Sequence, residues 1–184
     1  MSDERDAYLD SVLIGGREIP TIVVVPYDET WPERFDSLAE RILAALGPVA
    51  LSVEHIGSTS VPGLAAKPLV DILLTVTDVE NEDAYVPAME AAGFVLRVRE
   101  DHHRMFRTPK KDVHIHVYQP EHSQVSDYIA LRNHLRANAD DRDLYARTKR
   151  ALAEQTWSDM NDYADAKTDV ISEILGRARG RLAE

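Results

Sequence analysis

Apolar residues recur along the chain with two different periods, and the change falls near Pro120. Before it the apolar runs are short and rich in β-branched residues. Thr21 to Val25 reads as a first strand, ended by Pro26. Phe35, Leu38, Ala39, Ile42, Leu43 and Leu46 then follow a helical period. Thr30-Trp31-Pro32-Glu33 supplies the start of that helix, with Thr30 as cap, Pro32 in the first turn and Glu33 closing a capping box. Gly47-Pro48 ends it. Val49 to Ile56 alternates like a strand, and Gly57 to Leu64 is too rich in Gly and Pro for regular structure. Leu69 to Val76 is a nearly continuous apolar run, the pattern of a buried central strand, yet it carries Asp71. Asp83 to Ala92 reads as a helix closed by Gly93. Phe94 to Arg99, His103 to Arg107 and Val113 to Tyr118 read as strands, the last two forming a hairpin through Thr108-Pro109-Lys110-Lys111.

After Pro120 the period becomes helical. Ser123 caps a helix running to about Ala137, Asp140 to Gln155 gives a second, and Asp159 to about Leu182 a third. The pattern predicts an α+β chain. An α/β region with a mixed sheet spans 21–120, and a region of about three helices spans 121–184 and packs on it. Residues 1–20 form an arm punctuated by Gly15-Gly16 and Ile19-Pro20, which either covers a sheet edge or is mobile.

Composition narrows the function more than the fold. The chain has 184 residues, enough for one core, and no cysteine. That excludes a disulfide framework, thiolate catalysis, zinc fingers and iron–sulfur clusters. A net charge of −11 argues against broad binding to nucleic acid or anionic membranes, which needs a positive field. Mean hydropathy is −0.32, there is no apolar run of membrane-spanning length, and Met1 to Asp10 is acidic and polar. The expected setting is a soluble cytoplasmic one.

The first candidate chemistry is Gly57-Ser58 followed by Asp71 on the next strand. Gly57 allows close approach of backbone to a ligand. Successive N–H groups with the hydroxyls of Ser58, Thr59 and Ser60 make a cradle for phosphate. A carboxylate in an apolar strand needs a partner or a metal. The plainer alternative is an ordinary turn and a structural Asp. A Gly-Ser turn leading to a strand carboxylate is similar to the nucleotidyltransferase superfamily, which usually adds a second acid two residues on. Here that position is Leu73.

Six of the seven histidines lie between His102 and His134. His114 and His116, two apart on a strand, share a face and suit acid–base or metal chemistry. For His114 the favoured reading is the solvent side of a half-exposed strand. His102, His103 and His122 read as surface or loop residues. Cations give a third signal. Arg132, Lys149 and Lys167 each lie in or beside an apolar helical stripe, four residues after Tyr128, Tyr145 and Tyr163. Long stems at the stripe edge would explain any one of them. Three together point to a shared anionic ligand, with Arg136 one turn beyond Arg132 able to join.

The stretch from Glu54 to Ile72, EHIGSTSVPGLAAKPLVDI, resembles the GrpB family, small bacterial proteins with a nucleotidyltransferase-like fold. Val25-Pro26-Tyr27-Asp28, Trp31-Pro32 and His114-Ile115-His116-Val117 support the resemblance, which runs from about Leu13 to Leu175. Leu131 to Arg136 resembles the family's Phe-Arg-Asp-Tyr-Leu-Arg segment but has Asn133 and His134 in the middle. Tyr145, Lys149, Tyr163 and Lys167 also fall on family positions. The resemblance implies a nucleoside triphosphate, or a related phosphate ligand, held by the Gly57–Ser60 loop. Asp71 and His116 would be the catalytic and metal-holding pair. Lys67, Arg132, Arg136, Lys149 and Lys167 would neutralise the ligand. Asp71 with a triphosphate favours Mg²⁺, whereas histidine participation favours Mn²⁺ or Zn²⁺. The family also occurs fused to dephospho-CoA kinase, which implies a nucleotide or CoA-precursor context. The partner implied is a small phosphorylated molecule, and the alternative to a transferase is a binding module without turnover.

Overall fold

The computed structural model describes residues 2–19 and 21–181. Pro20 and Leu182, each part of an expectation above, lie outside the described residues. Five strands form one mixed sheet: β1 (Ser52–Ile56), β2 (Val70–Thr75), β3 (Val95–Glu100), β4 (His103–Arg107) and β5 (Val113–Tyr118). Their order is β1-β2-β5-β4-β3. Of these pairs, β2 and β5 run parallel, with Asp71 beside His114 and Leu73 beside His116. The other neighbours are antiparallel, and a bulge interrupts β3 between Leu96 and Val98.

Strand alternation gives this sheet two unlike faces. Val70, Ile72, Leu74, Ile115, Val117 and Phe106 face the main core, which α2 (Trp31–Leu46) and α3 (Val86–Ala91) cover. Leu38, Ile42 and Leu46 form the buried stripe of α2. The opposite face carries Asp71, Leu73, His114, His116 and Tyr118. There Leu73 packs with Ile56 and Tyr118 beneath Val125, Tyr128 and Ile129 of α4 (Ser123–Ala137). The near-continuous apolar run of β2 follows from this two-sided burial. Further along, α4, α5 (Ala139–Ala153) and α7 (Thr168–Arg181) close a second cluster over Val61 and Leu64 of the loop after β1.

Several expectations are corrected. Thr21 to Val25 is not a strand. Val25 makes one antiparallel bridge, to Ala66, through two 2.9 Å hydrogen bonds. β-branched composition makes no ladder without a partner strand. Thr30 precedes α2 but does not cap it. Its backbone sits in the α region, and its hydroxyl donates to Asp28 Oδ1 at 2.7 Å. The cap of α4 is His122, whose Nδ1 accepts from Gln124 N–H, rather than Ser123. The single helix expected from Asp159 is two, α6 (Met160–Asp165) and α7, broken at Ala166 and Lys167. The arm contains an unforeseen helix, α1 (Ser2–Val12). Beyond it Leu13 bridges Val98 on the edge strand β3, and Arg5 pairs with Asp162 and Asp165 of α6. Among the described residues no helix is long and apolar enough to cross a membrane.

Leu73 occupies the strand position where a second carboxylate would stand, and it is 1% exposed. Leu73→Asp should therefore destabilise by about 3 kcal/mol or more, as burying an unpaired charge in an apolar cluster does. The urea midpoint measures this, and an unchanged midpoint would mean that the cluster tolerates a charge there.

Candidate functional site

A cavity of about 310 Å³ opens between the polar face of the sheet, the loop after β1 and the helices α4 to α7. The loop fixes its floor. Gly57 has φ +69° and ψ −173°, a region open mainly to glycine, and a 3-10 turn over Ser58–Ser60 follows. This turn brings the backbone against β2. A Cβ at Gly57 would lie 2.8 Å from Asp71 Cβ and closer still to a carboxylate oxygen.

Of the residues singled out in the sequence, Gly57, Ser58, Lys67, Asp71 and His116 line this cavity. Arg132, Tyr145, Lys149 and Tyr163 line it from the helices, and Lys167 from the break between α6 and α7. Thr59, Ser60 and Arg136 are not brought to it. The Thr59 hydroxyl donates to Leu69 O at 3.1 Å and takes a bond from His55 Nε2 at 3.1 Å. Ser60 Oγ donates to Gly57 O at 2.6 Å, and Arg136 donates twice to Ser60 O at 2.9 and 2.7 Å. These three groups brace the loop from behind. Arg132 is divided: it lines the cavity, but its guanidinium donates to Glu54 at 2.8 Å and to His55 O at 3.0 Å.

The lysines are the unusual feature. Lys149 is 3% exposed, and its ammonium donates to Ser58 Oγ at 2.8 Å and Ala65 O at 2.6 Å. The Nζ atoms of Lys149 and Lys167 lie 4.6 and 4.5 Å from the rings of Tyr145 and Tyr163, a cation–π contact in each case. Tyr163 and Lys167, four residues apart, keep this contact across the break between α6 and α7. Lys67 reaches Met160 Sδ at 3.9 Å. Among the described residues none of these three lysines has a carboxylate oxygen within 4.0 Å. Burial pushes all three below the ordinary lysine range, Lys149 to about 7 through burial and the neighbouring Lys167 charge. Unpaired buried cations are costly, so the cavity favours an anion.

Among the described residues Asp71 is the one carboxylate lining this space. Burial alone would push it up; the His116 imidazole and the charges around it outweigh that and hold it below the usual carboxylate range. Asp71 Oδ1 is 3.8 Å from His114 Nδ1 and 3.9 Å from His116 Nε2. Among the described residues these three side chains form the group able to hold a metal ion, with all ligand atoms within 4.8 Å of one another.

Two histidines depart from what the sequence suggests. His114 faces Asp71 rather than solvent, and burial pushes it down to about 4. His103 is no loop residue. It lies on β4, stacked 4.5 Å from Tyr118, and its Nε2 is 3.3 Å from His116 Nδ1. Its Nδ1 meets Glu100 at 3.0 Å. Burial pushes it down to about 3. The period-two spacing of His114 and His116 is a signal for the first; His103 leaves none, because its contact depends on the β4–β5 pairing.

A second cavity, about 470 Å³, adjoins the first under α1 and the edge of the sheet. The two share Lys67, His114, His116, Met160 and Ala164, so the imidazoles stand at their junction.

Comparison with known proteins agrees with this architecture. A UPF0157 protein of Streptomyces coelicolor is 55% identical over 166 residues, 90% of this chain and 89% of that one. A crystal structure of the conserved protein GrpB from Enterococcus faecalis gives a TM-score of 0.78 at 32% identity, covering 88% of this chain and 100% of that one. A shorter stretch of 74 residues, 39% of this chain, is 39% identical to a dephospho-CoA kinase of Mycolicibacterium paratuberculosis and spans 18% of that protein. The model of the GrpB protein family matches residues 21–177, which include every residue lining the first cavity, and the chain belongs to that family.

Proposed function

We propose that the first cavity binds a nucleoside triphosphate or a related polyphosphate together with one divalent cation, and that the protein uses it on a small molecule seated in the second cavity. The observation that carries this reading is the convergence of Lys67, Lys149 and Lys167, each without a carboxylate partner among the described residues, on a cavity floored by the Gly57-Ser58 turn. Backbone N–H groups of that turn and three ammonium groups suit a chain of phosphates. Asp71 and His116 would hold the cation, which screens phosphate charge when bound. Transfer would join a nucleophilic oxygen or nitrogen of the acceptor to the α-phosphorus and release pyrophosphate, with the acceptor's proton passing to solvent. Such chemistry rests mainly on positioning and charge.

One observation favours a second reading, binding without turnover. Among the described residues the site has a single carboxylate, and Leu73 belongs to the core where another acid would help hold a second cation. The dephospho-CoA kinase likeness is compatible with either a nucleotide or a CoA-like phosphate as ligand.

Thermal shift with ATP, GTP, CTP and UTP, each with Mg²⁺, Mn²⁺ or Zn²⁺, tests the binding step. At least one pair should stabilise by about 2–3 kcal/mol once the nucleotide exceeds its Kd about a hundredfold. Lys167→Ala should weaken that nucleotide about tenfold or more. No shift with any combination would sink the reading. Pyrophosphate release over hours in the presence of candidate amines and alcohols separates transferase from binding module.

A further inference from the structure

The arrangement of imidazoles deepens the reading above, on which it rests for a cation at Asp71 and His116, by completing the ligand set and naming the ion. We propose that Asp71, His114 and His116 form a transition-metal centre that takes Zn²⁺ in preference to Mg²⁺, with His103 and Glu100 orienting the His116 ligand.

The sheet builds the donor set. Parallel pairing of β2 with β5 sets Asp71 directly beside His114, and the strand period returns His116 to the same face. The inward atoms are Asp71 Oδ1, His114 Nδ1 and His116 Nε2, with separations of 3.8 and 3.9 Å from the carboxylate oxygen. Ligands bound tetrahedrally at roughly 2.0–2.1 Å stand about 3.4 Å apart. A few tenths of an ångström of side-chain rotation closes each carboxylate–imidazole pair, and the two imidazole nitrogens, within 4.8 Å of each other, need to approach by about 1.4 Å at most. Two imidazoles and one carboxylate suit a zinc-like ion, whereas Mg²⁺ prefers oxygen ligands in octahedral geometry. Three protein ligands leave a position open, as in zinc sites that bind water or substrate. That position would face the junction of the two cavities, since both His114 and His116 line each of them.

A second observation is independent of the ligand distances. Glu100 accepts at its carboxylate, so the proton of a neutral His103 sits on Nδ1, 3.0 Å away. His103 Nε2 is then an acceptor, and His116 donates to it from Nδ1 at 3.3 Å. A metal ion at Nε2, the atom that faces Asp71, would take the place of the proton that His116 otherwise turns toward the carboxylate. A carboxylate–imidazole chain behind a ligating histidine is the usual way its tautomer and angle are fixed. Stacking of His103 on Tyr118 and the packing of Tyr128 against His116, with ring centres 4.5 and 5.5 Å apart, hold the chain in place.

The experiment uses the whole protein after dialysis against a chelator. Calorimetric titration with ZnCl₂ should give one site per chain, with MgCl₂ at least a hundredfold weaker. Co²⁺ should give a visible absorption band characteristic of low coordination number. Asp71→Asn and His114→Gln should each weaken Zn²⁺ by a hundredfold or more. His103→Leu should weaken it tenfold to a hundredfold and shift the Co²⁺ band, which a purely structural role would leave in place. Circular dichroism confirms folding of each variant, and His103→Gln replaces His103→Leu if that chain fails to fold. Equal affinity for Mg²⁺ and Zn²⁺, or Zn²⁺ bound as tightly by Asp71→Asn and His114→Gln as by the parent, overturns the centre. An unmoved affinity and band in the His103 variant overturn the orienting chain. Tripolyphosphate affinity measured in chelator reports on the lysines and the Gly57-Ser58 turn without any cation, so failure of the metal centre and failure of the phosphate reading are distinguishable.

Discussion

Between pH 7.5 and 9 the protein should gain stability while losing affinity for tripolyphosphate, and Lys149→Met should flatten both trends. The cause is one buried ammonium. Burial brings Lys149 down to about 7 in the folded protein, whereas an unfolded chain titrates its lysines near about 10.4. Across that window the unfolded state holds more protons than the folded one, so stability rises with pH. Below about 7 both states are protonated and the folded chain carries the full cost of the buried charge; above about 10.4 the difference is complete. Each pH unit inside the window is worth about 1.4 kcal/mol, so a gain of about 2 kcal/mol from this residue is expected from pH 7.5 to 9. Affinity runs the opposite way. A bound polyanion needs the ammonium, and deprotonation in the free protein then competes with binding, up to about tenfold per pH unit. Tripolyphosphate loses its last proton in the same range, which works against this trend, so the effect of Lys149 is read as the difference between the parent and Lys149→Met, which share the ligand's own titration. Urea melts and calorimetric titrations at four pH values, on parent and Lys149→Met, separate the two slopes. A parent affinity with the same pH slope as that of Lys149→Met would place the Lys149 ammonium away from the anion.

The sequence carries this site unevenly, for physical reasons. Cations at helical spacing after tyrosines are a local signal, since residues four apart share a helix face whatever the tertiary fold. That is why Lys149 and Lys167 stand out in the bare sequence. Gly57-Ser58 and Asp71 are also close along the chain, joined by one loop. The contacts of His114 and His103 are different in kind. His114 meets Asp71 only because β5 inserts beside β2, and His103 meets His116 only because β4 pairs with β5 in one register. Strand order is set by the whole chain, and no periodicity records it. Arg136, Thr59 and Ser60 show the converse. Their residue types suit an anion, but in the fold their hydrogen bonds go to backbone and to His55, because the loop that approaches Asp71 has carbonyls of its own to satisfy. The strand expected at Thr21–Val25 and the helix found at Ser2–Val12 miss for a similar reason: each depends on whether a neighbour is there to pack or pair with.

Gly57→Ala should cost about 2–5 kcal/mol, more than Gly63→Ala, although both glycines have positive φ. Gly57 sits at φ +69° and ψ −173°, a region almost closed to other residues, and Gly63 at φ +78°, so backbone strain of about 1–2 kcal/mol or more attends either substitution. Their surroundings differ. Among the described residues nothing lies within 4 Å of a Cβ at Gly63, whereas a Cβ at Gly57 meets Asp71 Cβ at 2.8 Å and Cγ at 3.0 Å. The Asp71 backbone cannot retreat, because β2 is paired to Ile56 on one side and His114 on the other. Overpacking of this kind adds about 1–3 kcal/mol. For a chain of this length each kcal/mol lowers Tm by about 2–4 °C, so a fall of roughly 10 °C is expected for Gly57→Ala. Function should divide in the same way. Gly57→Ala pushes the phosphate cradle away from the carboxylate and should weaken tripolyphosphate and Zn²⁺ together, while Gly63→Ala should leave both within about twofold. Asp71→Gly added to Gly57→Ala removes the obstructing side chain and should restore most of the stability but neither ligand. Equal losses from the two glycine variants would mean that the loop and the carboxylate are not mechanically joined, and that phosphate cradle and metal ligands could each shift without the other.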